Sequence, residues 1–124
     1  MAEAGKKTGR ITTHVLDTTL GEPARGMGLA LYRVCGEAAE LVTLSVTNAD
    51  GRVDSPLLEG DALTAGVYEI RFKAGEYMVR QGRYSATQTI WDLIPIRFKV
   101  VDPNKHYHVP LLLSPGGYST YRGS

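Results

Sequence analysis

The 124-residue chain reads as an all-β protein, a two-sheet sandwich of seven or eight short strands with one short α-helix. Three observations predict this class. Almost every apolar stretch is short and closed by Gly, Pro, Asn or Asp. Within the stretches, β-branched and aromatic residues recur at the period of two that a half-buried strand requires. Ala74 to Gln81 is the one segment that reads as a helix, with helix formers around an apolar Tyr77-Met78 pair.

Met1 to Arg10 is rich in Gly and Lys with no apolar run, so it reads as a disordered lead-in to a single domain over 11–124. Ile11 to Asp17 is the first strand, ended by the loop signal Thr18-Thr19-Leu20-Gly21-Glu22-Pro23. Leu29 to Val34 and Leu41 to Thr47 are the second and third. Asn48-Ala49-Asp50-Gly51 forms a turn, with Gly51 supplying positive φ, and a short strand over Arg52 to Ser55 is expected before Pro56 stops it. Gly66 to Lys73 alternates cleanly. Ala74 to Gln81 is the helix, with Tyr77-Met78 as its apolar pair and Gly82 just past its end. It is too short to stand alone in water and must pack on a sheet. Ile94 to Val101 and Tyr107 to Leu113 are further strands joined by Asp102-Pro103-Asn104-Lys105, and Tyr118 to Arg122 closes the chain. Pro110 inside a strand removes a ladder donor, which suits an unpaired edge or a gap between bonds.

Composition excludes several classes of function. With 14 Lys and Arg against 13 Asp and Glu, the formal charge is +1, so no global field attracts nucleic acid or an anionic membrane. No apolar run approaches the ~20 residues of a membrane span. Cys35 is the single cysteine, which cannot close an intrachain disulfide and fits a reducing compartment. The first ten residues carry no targeting pattern and Arg-Gly-Ser is not the usual peroxisomal ending, so the cytoplasm is expected, with the peroxisome left open.

Parity on the late strand points to a site. Tyr107, Val109, Leu111 and Leu113 share the core face, which puts His106, His108, Pro110 and Leu112 on the other. In a monomer that second face should be polar. Apolar residues beside imidazoles indicate burial against another subunit or a ligand. His14 shares a parity with Leu16, and Ser119, Tyr121 and Gly123 are in phase with one another. With only three histidines in the chain, each can be weighed as a satisfied surface group, an acid–base catalyst or a metal ligand. His106-Tyr107-His108 with His14 could hold zinc, although no Cys, Asp or Glu adjoins the pair. Arg52 follows the Asp-Gly turn at a loop mouth. No serine has a nucleophile-elbow context, and there is no phosphate-binding glycine loop.

Three blocks resemble the transthyretin-like proteins: Thr12-Thr13-His14-Val15-Leu16-Asp17-Thr18 with Gly21 and Pro23-Ala24, Thr47 to Arg52, and His106 to Pro115 followed by Tyr118 to Ser124. The ending Tyr121-Arg122-Gly123-Ser124, with the histidines and the arginine, is similar to the hydrolase branch of that family rather than to its hormone carriers. That resemblance implies an eight-stranded sandwich assembled as a homotetramer, with active sites where two dimers face each other. It implies cofactor-free hydrolysis of 5-hydroxyisourate in urate degradation, with His14, Arg52, His108 and Ser124 as the catalytic set. His14 is expected as the water-activating base, while His106 stays outside the set. Leu112, Ser119, Tyr121, Arg122 and Gly123 are expected to contact substrate. No metal or cofactor is expected. A carrier of the transthyretin type and a zinc hydrolase using His14, His106 and His108 are the competing readings. The segment from Gly82 to Pro95 departs from the aromatic-proline run that the family carries before its sixth long strand.

Overall fold

Alternation at period two resolves, in a computed structural model that describes residues 8–82 and 84–123, into two facing sheets. The first sheet contains β1 (Arg10–Asp17), β2 (Glu22–Pro23), β5 (Leu58–Glu59), β8 (His106–Ser114) and β9 (Gly117–Thr120). Its order is β2-β1-β8-β9, and β5 pairs with β1. The second contains β3 (Gly28–Cys35), β4 (Ala38–Val46), β6 (Gly66–Lys73) and β7 (Leu93–Val100) in the order β4-β3-β6-β7. A 3₁₀ turn at Gly60–Ala62 and the helix α1 (Ala74–Arg80) complete the elements. No helix among the described residues is long and apolar enough to cross a membrane.

The expected core face forms the centre of the sandwich. Tyr107, Val109, Leu111 and Leu113 of β8 are at most 7% exposed, and they pack with Ile11 and Val15 of β1. Leu29, Leu31, Tyr68, Ile70 and Phe72 face them from the second sheet. The helix buries Tyr77 and Met78 as its sequence requires. The Tyr77 hydroxyl donates to Asp17 Oδ2 at 3.0 Å, while Asp17 Oδ1 accepts the backbone N–H groups of Thr19 and Leu20. Asp17 therefore anchors the end of β1 to the helix. The divergent segment before β7 docks in two places. Gly75 lies so close to it that a Cβ would sit 2.9 Å from Asp92 Oδ1, and Trp91 meets the Tyr118 ring edge-on at 5.2 Å.

Two expectations change, and an alternative left open for Pro110 is decided. The strand expected over Arg52 to Ser55 does not form; Arg52 alone pairs, as an isolated bridge to His14. Pro56 and the Leu57 N–H bond to Ile11 O shift the ladder to Leu58–Glu59. Thr8 to Arg10, read as part of a disordered lead-in, are tied to the turn before β8. Thr8 Oγ1 donates to Asn104 O and Arg10 N to Lys105 O, and Gly9 sits where a Cβ would lie 2.0 Å from Pro103 O. Only glycine admits that approach. Pro110 is not on an edge, since β8 has a partner on each side. Instead β9 ends opposite Leu111, one residue short of Pro110, and the tail pairs again only at His108 with Gly123. The missing donor coincides with the break.

Thr47 fixes the loop that carries Arg52. It is 3% exposed; its hydroxyl donates to Ala24 O and accepts from Met27 N. Thr47→Val keeps the shape but leaves both backbone groups without this partner, so it should lower unfolding free energy by about 1–3 kcal/mol. A urea midpoint unchanged from the parent protein would contradict that role.

Candidate active site

The parallel pairing of β1 with β8 sets Thr12 beside His108 and His14 beside Pro110, so both histidines face outward from the first sheet. Arg52 comes to the same face from the 48–52 turn. Asn48 builds that turn: its Oδ1 accepts from Asp50 N at 2.9 Å and Arg52 N at 3.2 Å, and its Nδ2 donates to Asp54 Oδ1. Gly51, at φ 74, approaches β1 so closely that a Cβ would be 2.4 Å from Val15 O, and its carbonyl accepts the Val15 N–H. Arg52 then bridges to His14. The C-terminal tail closes over His108 from the other side. Gly123 N donates to His108 O at 2.8 Å, and a Cβ on Gly123 would lie 2.4 Å from the imidazole Cδ2.

A cavity of about 410 Å³ opens here, bounded by Arg10, Thr12, Arg52, Val53, Pro56, His106 and His108 among others. His14 is not on its wall but stands beyond Thr12 on β1, against Arg52. The other expected residues divide. Leu112 pairs with Ser119 and both border a separate depression with Thr18 and Tyr118. Tyr121 and Arg122 border the cleft between β7 and the core side of β8. Arg122 stacks on the Tyr107 ring at 4.6 Å and donates to His106 O at 3.3 Å. Within the chain, then, His14, Arg52, His108 and Gly123 are brought together and Leu112, Ser119, Tyr121 and Arg122 are not. Ser124 lies outside the described residues.

All three imidazoles are held below their ordinary value of 6.5. For His14, burial acts first and the Arg52 cation second, opposed by a hydrogen bond to the Asp50 backbone and by the Asp50 charge. For His108 the causes are burial, then Arg52, then the two other histidines. For His106 they are burial, then Arg10 and Arg122. Neutral imidazoles at neutral pH are proton acceptors, and a guanidinium is a permanent donor fork. The arrangement suits proton transfer around a developing negative charge. Among the described residues, no three His, Cys, Asp or Glu side chains are gathered to hold a metal ion.

Sequence reasoning missed Thr12. Its hydroxyl lies 2.7 Å from His106 Nε2 and 2.7 Å from His108 Nδ1, partners 94 and 96 positions away. No local spacing could have revealed that contact.

Residues 11–123 match the family described as HIUase/Transthyretin family. The chain is 53% identical over 118 residues to 5-hydroxyisourate hydrolase 2 of Rhizobium meliloti (strain 1021), covering 95% of this chain and 98% of that one. The solved 5-hydroxyisourate hydrolase of Klebsiella pneumoniae superposes with a TM-score of 0.79 at 35% identity, covering 94% of this chain and 99% of that one. A solved (S)-allantoin synthase superposes with a TM-score of 0.89 at 46% identity. This chain is 97% covered there but spans only 45% of that longer chain.

The lowered values make a prediction with a definite sign. In an NMR titration of the ring C–H signals, His14 and His108 should both lose their charge below pH 6.5. Arg52→Ala removes a cation that disfavours imidazolium, so both midpoints should rise. A midpoint at or above the ordinary value in the parent protein, or no upward move in the variant, would contradict the electrostatics.

Proposed function

The chain belongs to the HIUase/transthyretin family, and from that premise we propose that it is a cofactor-free cyclic-amide hydrolase acting on 5-hydroxyisourate. The observation that carries this reading is the shared outer face of His14, Arg52 and His108, where burial and one permanent cation lower the basicity of two imidazoles. The relative of Rhizobium meliloti and the structure from Klebsiella pneumoniae, both named as 5-hydroxyisourate hydrolases, support the substrate.

The reaction adds water across an N–C(=O) bond of the six-membered ring and yields 2-oxo-4-hydroxy-4-carboxy-5-ureidoimidazoline. Water is a poor nucleophile at neutral pH, so an imidazole takes its proton as the oxygen attacks the carbonyl carbon. Negative charge then develops on the carbonyl oxygen, and Arg52 stabilises it or binds an anionic substrate. As the C–N bond breaks, an imidazole returns a proton to the ring nitrogen. His14 and His108 are the imidazoles available for these transfers. Gly123 walls the site against His108. Ser124 is retained in the catalytic set on the family resemblance alone, to orient an imidazole through its hydroxyl or terminal carboxylate.

The second part of the proposal is a homotetramer with sites between facing dimers. Leu16 and Leu112 are half-buried on the outer face, beyond the histidines along β1 and β8. Apolar residues so close to a polar site support coverage by another copy. In that assembly Leu112, Ser119, Tyr121 and Arg122 reach substrate from neighbouring subunits. A carrier needs neither neutral imidazoles nor a cation on this face.

The assay generates 5-hydroxyisourate in place with urate oxidase and follows its decay in the ultraviolet. The parent protein should accelerate decay with or without chelator; loss of activity on chelation would revive a zinc mechanism. His14→Ala, Arg52→Ala and His108→Ala should each lower turnover by at least ~100-fold, the scale of a lost acid–base or oxyanion group. Turnover within a few-fold of the parent would remove that residue from the set. Light scattering tests the assembly separately: four copies are expected, and a fully active monomer would refute an interfacial site.

A further inference from the structure

One hydroxyl touches two imidazoles, and that contact has chemical consequences for the reaction proposed above, on which this inference rests. Thr12 Oγ1 is 2.7 Å from His106 Nε2 and 2.7 Å from His108 Nδ1. The two ring centroids are 6.0 Å apart, and the hydroxyl stands between their nitrogens. A hydroxyl has one hydrogen to give and lone pairs to accept. Between two neutral rings it therefore donates to one nitrogen and accepts from the other. The protonation of His106 and that of His108 are then complementary, and each fixes the tautomer of its neighbour. Because Nδ1 of His108 is taken up by Thr12, Nε2 is the nitrogen left for chemistry.

We propose that Thr12 and His106 are positioning residues that hold His108 with a proton on Nδ1 and a bare Nε2, and that they carry the Nδ1 proton away when Nε2 takes one from water. The atoms balance. A water O–H bond breaks, its oxygen bonds to the carbonyl carbon and its proton bonds to His108 Nε2. The Nδ1 proton passes to Thr12 Oγ1, and the Thr12 proton passes to His106 Nε2, which becomes the imidazolium. When the ring nitrogen leaves, the transfers reverse and Nε2 delivers the proton to it. This route makes His108 the base and then the acid, in place of the water-activating role expected of His14 from sequence, and leaves His14, paired with Arg52, to hold the substrate.

The surroundings explain why a relay helps. Charge on His108 faces Arg52, His14 and His106. Passing it to His106 moves it away from Arg52 and His14, toward a ring that faces Arg10 and Arg122. The positive charge then rests on a ring removed from Arg52, the cation assigned to the substrate.

The test uses Thr12→Val, which keeps the β-branched shape and removes the hydroxyl, Thr12→Ser, which restores it, and His106→Gln. Thr12→Val and His106→Gln should each lower kcat by roughly 10-fold to 100-fold, up to the lower limit of a lost general base, with KM unchanged. Thr12→Ser should stay within about 3-fold of the parent, since a serine hydroxyl has the same donor and acceptor capacity. The double variant Thr12→Val/His106→Gln should be no slower than the worse single one, because both break one chain. Nitrogen-15 NMR supplies a readout independent of turnover. His106→Gln should change the tautomer populations of His108 in the parent background and leave them unchanged in the Thr12→Val background. A Thr12→Val protein with parental kcat, additive losses, or a His108 tautomer indifferent to His106 would overturn the relay while leaving the hydrolase reading intact. A parent protein that does not accelerate 5-hydroxyisourate decay would instead remove the reading itself, with the tautomer coupling still measurable.

Discussion

The register of one parallel strand pair determines everything on the outer face. β1 and β8 run side by side from Arg10 with His106 to Asp17 with Leu113, the one parallel pairing among the described strands. Side chains alternate with period two, so a slip of one residue in β8 would exchange its faces. His106 and His108 would enter the core, and Tyr107, Val109, Leu111 and Leu113 would face water. Losing four buried apolar side chains costs roughly 6–12 kcal/mol at about 1.5–3 each, comparable to the whole stability of a domain. The core therefore holds the imidazoles in place. Packing on one face of the strand sets the chemistry on the other.

Two flanking segments depend on that pair. The 48–52 turn attaches to β1 through the Val15 N–H bond to Gly51 O, and this attachment aims Arg52 at His14. The tail attaches to β8 through Gly123, beyond the break opposite Pro110. Glycine is needed at both attachments because the backbone approaches within the radius of a Cβ. With cations and burial surrounding them, the imidazoles stay neutral, and a neutral imidazole beside a guanidinium carries no like-charge repulsion until it accepts a proton. The proposed Thr12 relay moves that proton's charge away from Arg52 and onto His106, which faces Arg10 and Arg122.

Much of this was legible in the sequence because it is local. Alternation on Tyr107 to Leu113 separated core from site face without reference to any other strand, and Gly66 to Lys73 and the helix fell within a residue of their observed bounds. His14, Arg52 and His108 were singled out by motif, and they share one face through the β1–β8 register and the Arg52 bridge to His14. What could not be read was any contact made across the sheet. Thr12 reaches its partners from 94 and 96 positions away. The strand expected near Arg52 shrank to a single bridge because the carbonyl of Ile11 already holds Leu57. Leu112 and Ser119 share a parity with the histidines but lie further along β8 and β9, since parity gives a face and not a distance along it.

The central claim is that the outer face of the β1–β8 pair is where an oxidised purine ring is held and attacked. A crystal structure with urate, the stable precursor of 5-hydroxyisourate, measures this directly. The account predicts the ring against this face, with the Arg52 guanidinium and a ring nitrogen of His108 or His14 within ~3 Å of its heteroatoms. Urate seated in the cleft between β7 and β8, without contact to His14, Arg52 or His108, would contradict it.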